Sequence, residues 1–566
     1  MANDQLGAAF RLLTSKGFVS TGHRHGRRTF RGILNCSSLP ISISLEISDW
    51  DFLVYPIIKV LEYPSHLPAL LPHLSSEGNL CYFAPGSIVL DRYNPATAID
   101  QCLVQATDVL NKILEDSDYR IHDIQNEFLS HWLLDQGRIP WLVLKGTIDT
   151  TKVSTNYFIL GDDDNRKAII SDDANEVEII AGSLGFSKPK ISKCKCWILH
   201  TEKFPTIPDN TLPNTVKELF EWLKSWDNNL YVRFQNTLEK EQEYLQYSLI
   251  TFAISSPVGW VGFGFDLDTI TLLAAKKTAG KRGPKLYKQF LHGRGSGGNI
   301  FRVHIADISA DFVHNRNLSF SDLKDKRIVL IGCGAIGGFL AQSLVRLGAG
   351  TGCRGKLILI DPDTLAPDNL GRHVLGYSSL FKLKAVALRD ELLKQFPLSR
   401  IFAEPINITK YSKLFASDLL IDATGEEAIS EMLNASQIAK RPKAPPILHI
   451  WIVGNGEATQ SLWVDSEKYG CFHCLRLPNT QNYREERYKI LKAEPERGFI
   501  GCQAFTPYAV SASISAAALA TDSIIDWIKG DPSPRFRTRA VENANIRQVK
   551  NQNISPLDGC VACRNA

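Results

Sequence analysis

No apolar run in this sequence is long enough to cross a bilayer. The apolar stretch most suspect as a span, residues 509–520, ends before Asp522, short of the roughly 20 residues that a spanning helix needs. The N-terminus lacks the basic start and apolar core of a secretory signal, and Asp4 stands among its first residues. Repeats and long low-complexity tracts are missing. Neither sign of charge dominates: 64 Lys and Arg face 60 Asp and Glu, a net charge of +4. So small an excess gives no case for direct nucleic-acid binding. Cysteine, at 12 in 566 residues, is too sparse for a disulfide scaffold. These absences predict a cytoplasmic protein with no membrane contact. In that reducing compartment cysteines serve as buried apolar residues, metal ligands or nucleophiles. What remains is ordinary globular composition, 44% hydrophobic and 22% charged, which excludes disorder.

The expected class is multidomain, in three parts. Residues 1–145 read as α+β. A helical pattern at Leu6, Phe10, Leu12 and Leu13 precedes strand-like runs at 30–34, 41–47 and 52–61, and a helix follows over 96–114. Residues 146–312 read as a mixed α/β linker region of unassigned type. It has β-like runs at 157–160, 176–180 and 196–199, a turn at 161–165 and a helix at 215–226. The basic, breaker-rich stretch 276–285 reads as a solvated loop or linker, with a surface for an acidic partner as the alternative, and the stretch near 276–300 as one candidate hinge. From 326 to 465, within the third part (313–566), strands and helices alternate as in a parallel doubly wound, Rossmann-like sheet.

Four motifs carry chemistry. Gly332, Gly334 and Gly337 follow an apolar strand and open a helix, so the backbone can approach phosphate at a helix N-terminus. Asp361 ends the next strand, where a carboxylate can accept from ribose hydroxyls. Asn369, Arg372 and Lys384 follow. Dinucleotide redox needs no such cations, whereas nucleotidyl transfer must neutralise a triphosphate. Cys471–Cys474 and Cys560–Cys563 form two CxxC pairs that can present four thiolates to Zn²⁺. Cys502 lies between those pairs and before a helix, where a thiolate is favoured. Finally, Leu71-Pro72-His73-Leu74 runs on to Gly78-Asn79-Leu80-Cys81.

The order of glycine loop, Asp361, Asn369 with Arg372, then Lys384 resembles the ThiF-type adenylating domain of ubiquitin-activating enzymes and sulfur-carrier adenylyltransferases. That resemblance implies adenylation of a protein C-terminal carboxylate with Mg-ATP, a structural zinc site split along the chain, and a homodimer to which Arg316 is lent. It implies that Cys502 is the catalytic cysteine of a crossover loop. One departure stands out. The family's D-x-T-D-N run reads here Asp422-Ala423-Thr424-Gly425-Glu426, so Asp422 or Glu426 must serve Mg²⁺. The run ending at Cys81 is similar to the active-site run of ubiquitin-conjugating enzymes, with Pro72, Leu74, Gly78 and Leu80 in register. Cys81 is then the thioester-forming nucleophile. His73 takes the place of the family's asparagine, as a hydrogen-bond donor or a base.

A fusion of these two domains resembles the proteins of type II CBASS anti-phage operons. The resemblance implies activation of a glycine-terminated protein, either a nucleotide cyclase or a ubiquitin-like protein. That protein would pass from Cys502 to Cys81 and on to an amine of a target, lysine being the expected one. Three readings stay open beside it: a sulfur-carrier adenylyltransferase with a fused binding domain, an NAD-dependent oxidoreductase, and a non-enzymatic scaffold.

Overall fold

The computed structural model describes the chain apart from residues 1, 25, 63, 66, 69, 76, 134–140, 145–153, 161–166, 187–191, 207–211, 279, 281, 478–484, 501–502, 542–544 and 565–566. The turn expected at 161–165 lies outside the described residues. The chain forms two compact units, Met1–Asp172 with Lys190–Asp307 and Asp173–Pro189 with Ile308–Ala566. Among the described residues no helix is long and apolar enough to cross a membrane.

The first unit opens with the helix Ala2–Ser15 and an antiparallel meander of β1 (Val19–Arg24), β2 (Arg27–Asn35), β3 (Pro40–Ile47), β4 (Ile57–Val60) and β5 (Asn79–Leu80), paired in chain order. Alternation sets the buried face: Ile41, Ile43, Leu45 and Ile47 of β3 all point inward. The helix Pro95–Glu115 covers that face with Ala98, Cys102, Ala106 and Leu110. Its start is fixed by Asn94, whose side chain accepts the Thr97 N–H, and by proline in the first turn. Asp116 ends this helix and caps the next, Ser117–Asn126. The third strand-like run was expected over 52–61, but only Ile57–Val60 pairs. Asp49 draws the N–H groups of Asp51 and Leu53 onto its carboxylate instead, a local turn that competes with the ladder.

A closed barrel takes six of its seven strands from the region without an expected fold and one from the end of the part before it. Its strands are β6 (Trp141–Val143), β7 (Ser154–Leu160), β8 (Lys167–Ile170), β9 (Ser192–His200), β10 (Leu249–Ser256), β11 (Gly259–Asp266) and β12 (Ile300–Asp307), in the order β10-β11-β12-β6-β8-β7-β9. An aromatic cluster closes part of its outer core. Phe128, Trp132 and Trp222 stack with ring centroids 5.1–5.8 Å apart. The loop expected at 276–285 is corrected. Lys276 and Lys277 close the helix Thr269–Lys277, where cations suit the C-terminal dipole. Gly283 and Pro284 lie in the first turn of the helix Arg282–His292, the one place a helix accepts proline. A Cβ on Gly283 would come within 2.4 Å of the Ala275 carbonyl oxygen, so the glycine permits two helices to meet.

In the second unit the β-like reading of 176–180 is also corrected. These residues belong to the helix Ala174–Ser183, capped by Asp173, with Val177 and Ala181 buried four apart. The main sheet contains β13 (Arg327–Ile331), β14 (Lys356–Ile360), β15 (Ile401–Glu404), β16 (Leu419–Asp422), β17 (Ile447–Val453) and β18 (Ala458–Val464). A small hairpin, β19 (Gly498–Ile500) with β20 (Gln503–Phe505), stands apart, and β21 (Phe536–Ala540) completes the sheet. The order is β15-β14-β13-β16-β17-β18-β21, parallel as far as β17. Strand order reverses beside β13. In such sheets a ligand crevice opens at the carboxyl ends of the strands at that point.

Candidate active sites

The crevice at the end of β13 is lined by Gly334, Asp361, Asp363, Lys384, Glu426 and Tyr508, among others, and encloses about 480 Å³. Gly332 has φ +87°, and a Cβ there would meet the Thr424 nitrogen at 2.9 Å. A Cβ on Gly337 would lie 1.9 Å from the Gly332 carbonyl oxygen, so the helix Ala335–Arg346 seats directly on the loop. Around Gly334 there is open space, which leaves the backbone at the helix N-terminus free to receive an anion.

Asp361, at the end of β14, braces this loop. Its two oxygens accept the N–H of Cys333 at 2.7 Å and of Asp363 at 2.9 Å. Burial pushes its carboxyl above the usual range. Lys384 starts the helix Lys384–Gln395 and reaches the crevice with a side chain 12% exposed, paired to Asp363 at 3.0 Å. Asn369 builds the turn before Arg372 by accepting the Ala366 N–H at 3.1 Å. The Arg372 guanidinium lies over the Tyr508 ring, 5.0 Å from its centroid. Tyr508 itself lines the crevice, and no sequence pattern singled it out. Arg316 is exposed over the ring of Phe312 and does not line this crevice.

The two carboxylates weighed for magnesium differ in orientation. Asp422 is buried. It accepts from Thr424 Oγ1 at 2.7 Å and Ser430 Oγ at 2.5 Å, and lies 2.8 Å from His449 Nδ1. The parallel register sets Asp422 beside His449. Glu426 lines the crevice and is exposed.

The two CxxC pairs meet. Cys471 Sγ is 3.8 Å from Cys474 and 3.9 Å from Cys560, and Cys474 is 3.6 Å from Cys563. All four sulfurs lie within 4.8 Å of one another. Thiolates about 2.3 Å from a tetrahedral Zn²⁺ stand about 3.8 Å apart, so the cluster fits that ion. The Leu557 N–H points at Cys474 Sγ at 3.5 Å, the backbone support a thiolate ligand needs. Cys560→Ser is therefore expected to lower bound zinc per chain, read by elemental analysis. It should also lower the melting temperature, because the C-terminal tail loses its anchor.

Cys81 follows β5 and is exposed, with Sγ 3.7 Å from the Phe83 carbonyl oxygen. Gly78 (φ +86°) makes the turn that returns the chain to β5. The Cys81 N–H donates to the His73 carbonyl at 2.7 Å. The ring of His73, expected as a hydrogen-bond donor or a base, has partners on both sides. Nδ1 lies 2.6 Å from Glu127 Oε1, and Nε2 lies 3.0 Å from Asp123 Oδ2 and 2.8 Å from the Tyr119 hydroxyl. Both nitrogens are thus engaged. Holding this residue at φ +60° costs on the order of 1–3 kcal/mol, which such anchors must offset. Glu127 and Asp123 carry no motif and could be found only in three dimensions. Cys502 lies outside the described residues, whose flanking strands pair Ile500 with Gln503.

The ThiF family model matches residues 306–559 of this chain. ATP-dependent ubiquitin transferase-like protein Cap2 of Pseudomonas aeruginosa (strain BWHPSA011 / Pa011) is 30% identical over 501 residues, 88% of this chain and 87% of that one. The protein of the same name from Escherichia coli (strain TW11681) is 25% identical over 569 residues, 92% of this chain and 91% of that one. Molybdopterin-synthase adenylyltransferase of Escherichia coli (strain K12) is 31% identical over 159 residues, 27% of this chain and 59% of that one.

Proposed function

Because this chain belongs to the Cap2 family of ATP-dependent ubiquitin transferase-like proteins, we propose that it activates the C-terminal glycine of a carrier protein with ATP and conjugates it to an amine. The observation that carries the reading is one chain holding both a glycine-loop crevice with Lys384 on its wall and an exposed cysteine, Cys81, on an α+β domain. That domain is read as ubiquitin-conjugating-like. The carrier is a nucleotide second-messenger synthase or a ubiquitin-like protein, and the setting is bacterial anti-phage defence.

The chemistry follows from the carboxylate, which is a poor acyl donor because oxide would have to leave. In the first step the carrier carboxylate oxygen attacks the α-phosphorus of ATP and pyrophosphate departs. Lys384, Arg372 and the N–H groups at Gly334 stabilise the phosphate charge that develops. Asp361 and Asn369 hold the loops that flank the nucleotide. Magnesium, when bound, neutralises triphosphate charge. Glu426 is the carboxylate free to hold it, since hard oxygen donors suit this ion and Asp422 is committed to Thr424, Ser430 and His449. Arg316 is assigned to a second copy's nucleotide in a homodimer. The Cys502 thiolate then attacks the acyl carbon and AMP leaves. Cys81 takes the acyl group with release of the Cys502 thiolate. A target lysine amine attacks last, forming an amide; Cys81 leaves as a thiolate and the amine proton passes to solvent.

Two measurements test the reading. Carrier-dependent ATP–pyrophosphate exchange is expected, as are reductant-sensitive carrier adducts at both Cys502 and Cys81. A protein that shows neither, and that reduces or oxidises a substrate with NAD, would belong to the oxidoreductase class instead. Glu426→Gln is expected to raise the magnesium concentration for half-maximal exchange by about tenfold, while Asp422→Asn should act through loss of fold stability.

A further inference from the structure

The loop that presents Cys81 is held by side chains to which the acyl-transfer scheme gives no part. Glu127 follows the helix Ser117–Asn126 as its C-terminal cap. One of its oxygens takes the His73 ring at Nδ1, 2.6 Å away. The other accepts the backbone N–H of the same residue at 2.9 Å. Glu127 therefore grips ring and main chain together, while Asp123 and Tyr119 close on the far nitrogen at 3.0 and 2.8 Å. The His73 carbonyl passes the constraint on, because it accepts the Cys81 N–H. A left-handed histidine is uncommon and relaxes toward extended backbone once its anchors are lost, carrying that carbonyl with it.

We propose that Glu127 is a positioning residue for Cys81, acting through His73 to fix the direction of the nucleophile, with Asp123 steadying the same ring from the opposite side. The proposal rests on the acyl-transfer reading of Cys81.

It has a pH signature. The groups facing His73 are Glu127, Asp123 and Tyr119. Behind them stand His131, 3.8 Å from Glu127, and His122, 3.1 Å from Asp123. The hydrogen bond that the His73 ring donates to Glu127, with the two carboxylate charges, raises the His73 pKa above its ordinary value. The clamp is complete below that raised pKa and loosens as pH climbs through it. The Cys81 thiol is raised as well, by burial and by the Glu127 charge, so its thiolate fraction grows with pH. Loading of Cys81 therefore has a rising limb set by the thiol and a falling limb set by the clamp.

The test uses the full chain with Mg-ATP and a glycine-terminated carrier, following the reductant-sensitive adduct at Cys81 against pH. Glu127→Gln is expected to slow loading by about tenfold or more and to move the falling limb to lower pH, with ATP–pyrophosphate exchange unchanged. Asp123→Asn, which keeps the Glu127 grip, should move the limb the same way by less, and it carries the test if Glu127→Gln does not fold. Wild-type rate and profile in the variant that folds would overturn the proposal. A wild-type chain that never acquires an adduct at Cys81 would overturn the acyl-transfer reading itself, a different result from a loaded Cys81 indifferent to Glu127.

Discussion

Cys81→Ala is expected to abolish conjugation while carrier activation continues. The argument turns on which other thiol could take over. Cys36 and Cys102 lie in the same domain, but both are buried and burial pushes both up to about 11. Neither presents a thiolate to a bulky acyl donor at neutral pH. Removing the only exposed cysteine of that domain among the described residues should lower amide product by about 10³-fold or more. Exchange should stay within about twofold, because the thiol has no part in chemistry at the α-phosphorus. Cys81→Ser adds a sharper diagnostic: an adduct formed on the serine is an ester, which thiol reductants leave intact. The measurement is gel separation of carrier adducts with and without reductant, alongside exchange on the same preparation. Undiminished conjugation by Cys81→Ala would leave the α+β domain as a binding module and the activating chemistry untouched.

How much of this could be read from one letter per residue depended on whether the signal was local. The glycine-loop crevice was legible as a crevice because β13, β14 and β16 are near-continuous apolar runs and each of its polar groups follows a strand end or helix start. The split cysteine cluster was legible because CxxC spacing already fixes two ligands on one turn. The barrel was not. Its strands β6 and β8 are Trp141–Val143 and Lys167–Ile170, too short to show periodicity, and its pairing order does not follow the chain. Residues 176–180 misled because Val177, Ile179 and Ile180 favour strands by propensity, while the cap at Asp173 decides for a helix. The breakers at 283 and 284 misled in the opposite sense, since proline in a first turn and glycine at a close helix contact are compatible with order. Orientation is what sequence withholds most completely. Nothing in Asp422-Ala423-Thr424-Gly425-Glu426 says that the first carboxylate turns into the core and the last toward the crevice, and nothing in His73 says that two carboxylates already hold it.

Lys384→Ala is expected to lower carrier-dependent ATP–pyrophosphate exchange by about 10²–10³-fold, the usual cost of removing one preorganised group that stabilises developing charge. The position of the side chain is what makes so large a figure reasonable. Lys384 is 12% exposed at the mouth of a helix N-terminus and lines the crevice beside Gly334. Its charge therefore acts where water screens it least. Its partner Asp363 is 65% exposed, so losing the pair costs at most about 1 kcal/mol of stability, and a melting curve should scarcely move. That separation rules out unfolding as the cause of the lost rate. Lys384→Arg should recover little, because a planar fork cannot replace a compact ammonium in a space already bounded by Asp363 and the Gly334 backbone. Arg372→Ala should cost less than Lys384→Ala, since its guanidinium packs on Tyr508 at the rim. Steady-state exchange against ATP concentration distinguishes the two: Lys384 is expected to act mainly on the maximal rate and Arg372 mainly on apparent affinity. Exchange by Lys384→Ala within about twofold of wild type would remove this lysine from the phosphate site and, with it, the main reason for reading the crevice as one that transfers nucleotidyl groups.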